Sequence, residues 1–246
     1  MKIKIVTLFP SMYTGFLEES IIKRTIEKEL VSVSIVNLRD YSNNKHHKVD
    51  DTPYGGGAGM VLNVPTIDNC LNAIKSTNSK TILMSPMGKT YKQKDAYRLA
   101  NEDEIILICG HYEGFDERIR DLVDEELSIG DFVMTGGEIA SMAIADSVIR
   151  LLEGAIATES HETDSYSHGL LGFPQYTRPV NYKGRSVPFV LQNGNHKLIK
   201  EYRLKEQLRR TFLRRPDMLI NYKLSKEEEK LLKEVKEEEL KLNKTK

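Results

Sequence analysis

Apolar residues recur along the first 150 positions with two different periods, and the switches between them predict the elements. Ile3 to Phe9 reads as a buried strand stopped by Pro10. Ser11 can cap a helix in which Phe16, Ile21, Ile22 and Ile26 fall at near-helical spacing, and Val31 to Val36 then alternates Val, Ser, Val, Ser, Ile, Val. Strand, helix, strand is the opening of an α/β sheet. Thr81 to Met84 and Ile105 to Cys109 predict two more short strands, each closing in a turn signal: Ser85-Pro86-Met87-Gly88 after the first, Gly110-His111-Tyr112-Glu113-Gly114 after the second. Phe132, Val133 and Met134 predict a third, held between Gly130 and the pair Gly136-Gly137. Beyond the glycines, Ile139, Met142, Ala143, Val148, Ile149 and Leu152 recur close to the helical period and predict a buried helix.

In open α/β sheets, ligands sit beyond the carboxyl ends of the strands. Three glycine-bearing strand ends therefore converge on one expected pocket, where bare backbone and the N–H groups of a helix start can approach a flat ligand. A fourth glycine stretch, Asp51 to Met60, is a loop that no regular element could hold. Two phosphate loops are excluded. Gly88-Lys89-Thr90 has Leu83 where a P-loop needs its first glycine, and no strand is followed by GxGxxG at a helix start.

After Arg150 the pattern changes. Gly154 to Gly172 holds Thr158, Glu159, Ser160, His161, Glu162, Thr163, Asp164 and Ser165, a polar segment that reads as an inter-domain linker. Asn195 to Lys223 carries nine Lys or Arg against three Asp or Glu. On a helical wheel Arg203, Arg210 and Arg214 share one stripe, while Leu198, Tyr202, Leu204, Leu208 and Phe212 take the opposite arc, so one face can pack and the other can meet phosphates. Pro216 should end this helix. The tail from Leu224 to Lys246 has seven Lys and seven Glu and predicts a solvated helix held by i,i+4 pairs.

The net charge of the 246 residues is zero, so the basic stripe is a local feature hidden in a neutral total. Two cysteines, Cys70 and Cys109, and six histidines without ligand spacing argue against a disulfide framework or a zinc site. The start enters a strand directly, and no apolar run approaches the roughly 20 residues of a membrane span. The expectation is a soluble cytoplasmic protein.

Tyr54-Gly55-Gly56-Gly57-Ala58-Gly59-Met60, Ser85-Pro86-Met87-Gly88, Cys109-Gly110-His111-Tyr112-Glu113-Gly114, the stretch Ser128 to Glu138, and Asn193-Gly194-Asn195-His196 followed by Arg214-Arg215-Pro216 together closely resemble the bacterial tRNA (guanine-N1)-methyltransferase family, TrmD. The resemblance runs over nearly the whole chain. It implies a SPOUT-type α/β domain with a deep trefoil knot over 1–157, a flexible linker over 158–172 and a smaller, mainly helical tRNA-binding domain over 173–246. It also implies S-adenosylmethionine as methyl donor, magnesium-dependent catalysis, no DNA or membrane partner, and a homodimer acting on the guanosine at tRNA position 37, just 3′ of the anticodon.

Carried over residue by residue, the resemblance places the cofactor on Leu83, Met84, Ser85 and Pro86; on Gly110, Tyr112 and Glu113; and on Ser128, Ile129, Gly130, Asp131, Phe132, Val133 and Met134, with Gly136 and Gly137. It implies Asp164 of the Asp164-Ser165-Tyr166 triplet as general base and Arg150 as the essential arginine, with Arg203, Arg210 and Arg214 toward tRNA. Sites shared across the dimer are implied too, Arg150 and the cofactor loops of one subunit facing Asp164 and the C-terminal domain of the other. Phe132 stands where the family often has Tyr, Ala140 where it often has Pro, and the spacing from Gly154 to Asp164 is one residue short. The guanine N1 proton must leave as the methyl arrives, which a carboxylate can accept, while a guanidinium stabilises the charge growing on O6. Without the resemblance, Asp164 reads as a linker acid and Arg150 as a helix-terminal cation. Competing expectations are another SPOUT-type RNA methyltransferase, on a ribose 2′-hydroxyl or another base, and a non-catalytic RNA-binding relative.

Overall fold

Six consecutive residues, Glu104–Cys109, are buried. Such a strand is covered on both faces, the mark of a parallel sheet lying between helical layers. The computed structural model describes residues 1–157 and 164–244. Its main sheet comprises β1 (Lys2–Thr7), β2 (Ser32–Asn37), β5 (Ser79–Thr90), β6 (Glu104–Cys109) and β7 (Glu125–Ser128), in the order β2-β1-β6-β5-β7 with every pairing parallel. β3 (Asp50–Asp51) and β4 (Val61–Leu62) form a separate short antiparallel pair.

Alternate residues of β6 serve alternate cores. Ile105, Leu107 and Cys109 join Ile3, Ile5 and Ile82 on the face covered by α5 (Glu138–Ile149), which contributes Ile144 and Val148. Ile106 and Ile108 join Val6 and Leu83 on the face covered by α3 (Val64–Ile74), which contributes Ile67 and Leu71. Each fully buried Ile or Leu contributes about 1.5–3 kcal/mol over leaving it exposed, so the middle of the sheet is its most heavily stabilised part.

The expected strands are present, with corrections. The helix after Ser11 is broken into a 3-10 turn, Pro10–Tyr13, then α1 (Thr14–Glu18) and α2 (Ser20–Glu27), because the chain turns at Ser20 with φ +54°. β5 does not stop at Met84 but runs on to Thr90, its register shifting between Met84 and Lys89 so that Pro86 falls where no ladder bond is needed. Phe132–Met134 are loop, not strand. Phe132 is 55% and Val133 87% exposed, with no neighbouring strand to pair, and the local strand is β7 upstream. α3 and α4 (Gln93–Ala100) are additional helices that the pattern did not announce.

The chain divides into two compact units, Met1–Thr158 and Glu159–Lys246. Of the expected linker, 158–163 lies outside the described residues. From Asp164 onward the second unit is a hydrogen-bonded turn, in which Tyr166 N donates to Leu170 O at 2.8 Å and Gly172 N to Ser165 Oγ at 2.9 Å, followed by a two-residue hairpin, β8 (Asn181–Tyr182) and β9 (Arg185–Ser186). Helices α6 (His196–Arg214) and α7 (Lys226–Lys244) then pack together around Leu170, Leu208, Leu231 and Leu232. The acidic and basic tail is therefore more than a solvated helix, since Leu231, Leu232 and Val235 of α7 are buried. No helix of the described residues is long and apolar enough to cross a membrane.

Candidate active site

The three glycine-bearing strand ends open into one cavity of about 340 Å³. Its walls come from β5 and the turn it enters (Met84 to Met87), from the loop after β6 (Gly110 to Phe115), and from the end of β7 through the start of α5 (Leu127 to Gly137). Gly137 joins two of these walls. Its N–H donates to Gly110 O at 2.8 Å, and a Cβ there would stand 2.8 Å from Cys109 Cα and 2.9 Å from Gly110 N, so no side chain fits between the two backbones. Ser128 pins the third wall, its hydroxyl donating to Gly130 O at 2.9 Å and accepting from Gly130 N at 3.2 Å.

Beneath the cavity Tyr13, Ser141 and Cys109 form a neutral cluster close to the buried Glu138 carboxylate. Tyr13 Oη lies 2.8 Å from Ser141 Oγ and 3.3 Å from Cys109 Sγ. Burial pushes the Cys109 thiol up from 9.0 to about 12, and burial, with Cys109 beside it, lifts the Tyr13 phenol far above its ordinary range. The floor therefore orients groups by hydrogen bonding and offers no thiolate nucleophile near neutral pH. Charge sits at the rim. Arg120 reaches Glu126 Oε1 at 2.6 Å and also pairs with Glu117, and both Arg120 and Glu117 line the cavity beside Glu113.

The residues expected to meet a cofactor line this cavity with two exceptions. Leu83 is wholly buried in the core on the other face of the sheet, because neighbouring strand residues point to opposite faces, and Asp131 is exposed and forms no part of the lining. Sequence reasoning missed Met87, His111, Glu117 and Arg120. His111 stood inside a quoted motif without a role. Glu117 and Arg120 looked like an ordinary charged turn, and only the folded chain brings that turn, Glu117–Leu122, to the rim.

Arg150 is the C-cap of α5, with Gly137 at the opposite end. Ala140 is the last α5 residue in the lining, and at the rise of an α-helix Arg150 lies about 15 Å further along, beyond the reach of an arginine side chain. Asp164 begins the turn of the second unit, its carbonyl accepting from Ser167 N at 3.4 Å, and the turn is tied to α6 by Leu171 N donating to Thr211 Oγ1 at 2.9 Å. On α6 the cations divide. Lys205 bonds Glu234 and Glu238 of α7 at 2.9 Å each, and Arg209 bonds Glu206 at 2.9 Å and pairs with Glu238 and Glu239. The Arg203–Arg210–Arg214 stripe lies on another side, with the Arg203 guanidinium 4.7 Å above the Phe173 ring, which leaves its N–H edge able to meet a phosphate. Leu198, assigned to the packed arc, is 44% exposed.

Among the described residues no group of three or more His, Cys, Asp or Glu is arranged to hold a metal ion. The side chains present do not form a magnesium cage.

The sequence profile of the family described as tRNA (Guanine-1)-methyltransferase TrmD matches residues 1–221, a span that includes every wall of the cavity, Arg150, Asp164 and all of α6. A tRNA (guanine-N(1)-)-methyltransferase of Bacillus cereus (strain B4264) is 54% identical over 244 residues, 97% of this chain and 100% of that protein. One of Bacillus anthracis (strain A0248) is 54% identical over 242 residues, 96% of this chain and 99% of that protein. A profile match over most of the chain and relatives this similar over their whole length place the chain in the tRNA (guanine-N1)-methyltransferase family, TrmD.

Proposed function

We propose that this enzyme transfers a methyl group from S-adenosylmethionine to N1 of the guanosine at tRNA position 37, and that the cavity at the three strand ends holds the donor. The observation that carries the reading is that cavity. It is flanked by apolar side chains, including Met84, Pro86, Phe132 and Val133, and interleaved with glycine backbone, and its lining includes His111, whose buried Nδ1 makes no hydrogen bond among the described residues. An aromatic base, ribose hydroxyls and a charged amino-acid end fit such a mixture. S-adenosylmethionine, when bound, supplies a methyl group on a positively charged sulfur. Phe132 keeps the ring of the family's usual Tyr without its hydroxyl, so shape is retained there and one hydrogen bond is forgone.

The chain's own residues handle the proton and the charge. Asp164 accepts the proton from guanine N1, and Arg150 places a planar guanidinium where negative charge grows on O6. Because Arg150 ends α5 far from the cavity of its own chain, the reading becomes a homodimer in which Arg150 and Asp164 of one subunit complete the cavity of the other. Residues 1–157 then form the donor-binding domain, 158–172 the linker, whose described part from Asp164 onward is a hydrogen-bonded turn that carries the base, and 173–246 a tRNA-binding domain that uses Arg203, Arg210 and Arg214. The reading includes a trefoil knot in the first domain, as the family resemblance implies. The setting is the cytoplasm, where tRNA is found. No step is assigned to magnesium, for which the described residues offer no cage.

The test is incubation with methyl-labelled S-adenosylmethionine and unmodified tRNA, followed by nucleoside analysis. Label in 1-methylguanosine supports the reading. Label on a ribose 2′-oxygen or another base identifies a different RNA methyltransferase, and tRNA binding without transfer identifies a non-catalytic relative.

A further inference from the structure

Behind Gly136 the cavity wall holds two side chains that the proposed reaction does not use. A Cβ at Gly136 would stand 2.3 Å from Glu138 Oε2, 2.8 Å from His111 Nδ1 and 3.2 Å from Gly110 O. Position 136 is thus glycine because an imidazole and a carboxylate converge there. Glu138 is only 3% exposed, and its Oε1 accepts a 2.8 Å hydrogen bond from Thr7 Oγ1, which in turn accepts from Phe9 N at 2.9 Å. The Phe9 ring meets His111 edge-on at 4.9 Å and Tyr112 meets it at 5.0 Å, so the imidazole is held between two aromatics. His111 Nδ1 is sealed from solvent and makes no hydrogen bond among the described residues, while the rest of the residue lines the cavity.

A buried imidazole nitrogen that faces a carboxylate is satisfied when it carries the hydrogen. With the hydrogen on the other nitrogen, Nδ1 and Glu138 would confront each other as two acceptors with nothing between them. We propose that Glu138 fixes His111 as its Nδ1–H tautomer, leaving Nε2 bare on the cavity side as an acceptor for a donor group, hydroxyl or ammonium, of the bound ligand. In this tautomer Nδ1–H is the donor that Glu138 Oε2, converging on the same point beside Gly136, would accept. Thr7 holds the carboxylate still, and glycine at 136 leaves room for both groups. His111 is then a ligand-binding residue, and Glu138 the residue that positions it. The pair itself rests on geometry alone, and only the identity of the ligand rests on the proposed function.

The decisive experiment is nitrogen-15 NMR of the full chain labelled at histidine, without ligand, at pH 8, with the His111 signals assigned by their loss in His111→Asn. The expected spectrum shows His111 as the Nδ1–H form, contrary to the preference of a free histidine side chain. In Glu138→Gln, whose amide can donate as well as accept, the population should move toward Nε2–H. Nε2–H in the wild type overturns the proposal without any variant, and an unchanged spectrum in folded Glu138→Gln overturns Glu138's part in it. Calorimetry with S-adenosylhomocysteine adds the ligand arm. His111→Phe, which keeps the ring but not Nε2, should weaken binding roughly tenfold, the effect of one lost hydrogen bond, and full affinity in that variant contradicts the assignment of Nε2. A wild type that binds none of this compound would sink the methyl-donor reading, while the tautomer still decides the pair.

Discussion

In the first unit β6 buries every one of its residues and two loops meet at Gly137 with no room for a methyl group, whereas in the second unit the nineteen residues of α6 fully bury only Leu208 and Thr211, and ion pairs to α7 flank a small apolar cluster. The difference is between positions fixed by backbone contact and positions held in part by charge. Backbone crossings leave a cavity wall a single arrangement, which suits a small ligand that must be held to within a hydrogen bond. Paired charges leave a surface adjustable and responsive to salt, which suits a polyanion. Substitutions in the first unit should therefore fail abruptly and locally, and those in the second gradually.

The largest expected effect belongs to the proposed general base. Asp164→Asn should keep donor binding, read by calorimetry, and lower single-turnover methyl transfer on the order of 10²–10⁴-fold, because an amide keeps the shape but takes no proton. Undiminished transfer would remove Asp164 from the mechanism. Sharing of the site is tested by mixing Gly137→Val, which blocks the cavity, with Asp164→Asn. If Asp164 serves the other subunit's cavity, co-expressed heterodimers regain one intact site from two inactive chains; continued inactivity would mean that the site is built within one chain.

Next in size, Arg203→Ala, Arg210→Ala and Arg214→Ala combined should weaken tRNA binding and flatten its dependence on log salt by roughly 0.7–0.9 per lost phosphate contact. Transfer at saturating tRNA should change little. An unchanged salt slope in a filter-binding titration would place the tRNA elsewhere. Arg209→Met breaks the hub of the α6–α7 ion pairs and removes the cation shared by Glu206, Glu238 and Glu239, while Lys205 still pairs with Glu238. It should cost about 2 kcal/mol in urea unfolding, and a neutral outcome would show that Leu208, Leu231 and Leu232 alone hold the helices.

The smallest effect belongs to the buried floor. An unfolded Cys109 thiol ionises from about its ordinary 9.0, while the folded one keeps its proton to about 12. Unfolding therefore releases a proton in that window, so the stability contribution is complete below pH 9 and is lost as pH rises from 9 toward 12. Cys109→Ala should reduce the difference between urea midpoints measured at pH 8 and pH 10, and an identical difference in the variant would assign the effect to other groups.

Much of the first unit was legible because parallel-sheet physics leaves a plain trace: apolar runs at Ile3, Val31, Thr81 and Ile105, all but the second closed by glycine or proline. α4 left almost none. Of its apolar residues only Ala96 and Leu99 are buried, and its buried Asp95 takes a 2.6 Å bond from Lys89, a partner that only the fold supplies. The run Phe132–Met134 misled for a physical reason, since side chains facing a cavity are as apolar as those facing a core. The glycines announced the cavity directly, because a missing side chain is itself a geometric statement. The rim charges Glu117 and Arg120 could not be read, since their place depends on where other elements stop, whereas Arg150 was legible as the end of the helix that follows the glycines.

The central claim, that the methyl donor sits at the three strand ends, is tested most directly without altering the chain. Met84, Met87 and Met134 line the cavity, while Met142 packs against the sheet core and Met218 lies in the second unit. With carbon-13 on the methionine methyls, titration with S-adenosylmethionine should shift the signals of Met84, Met87 and Met134 and leave those of Met142 and Met218 in place; shifts centred on Met218, or none at saturating donor, would contradict the account.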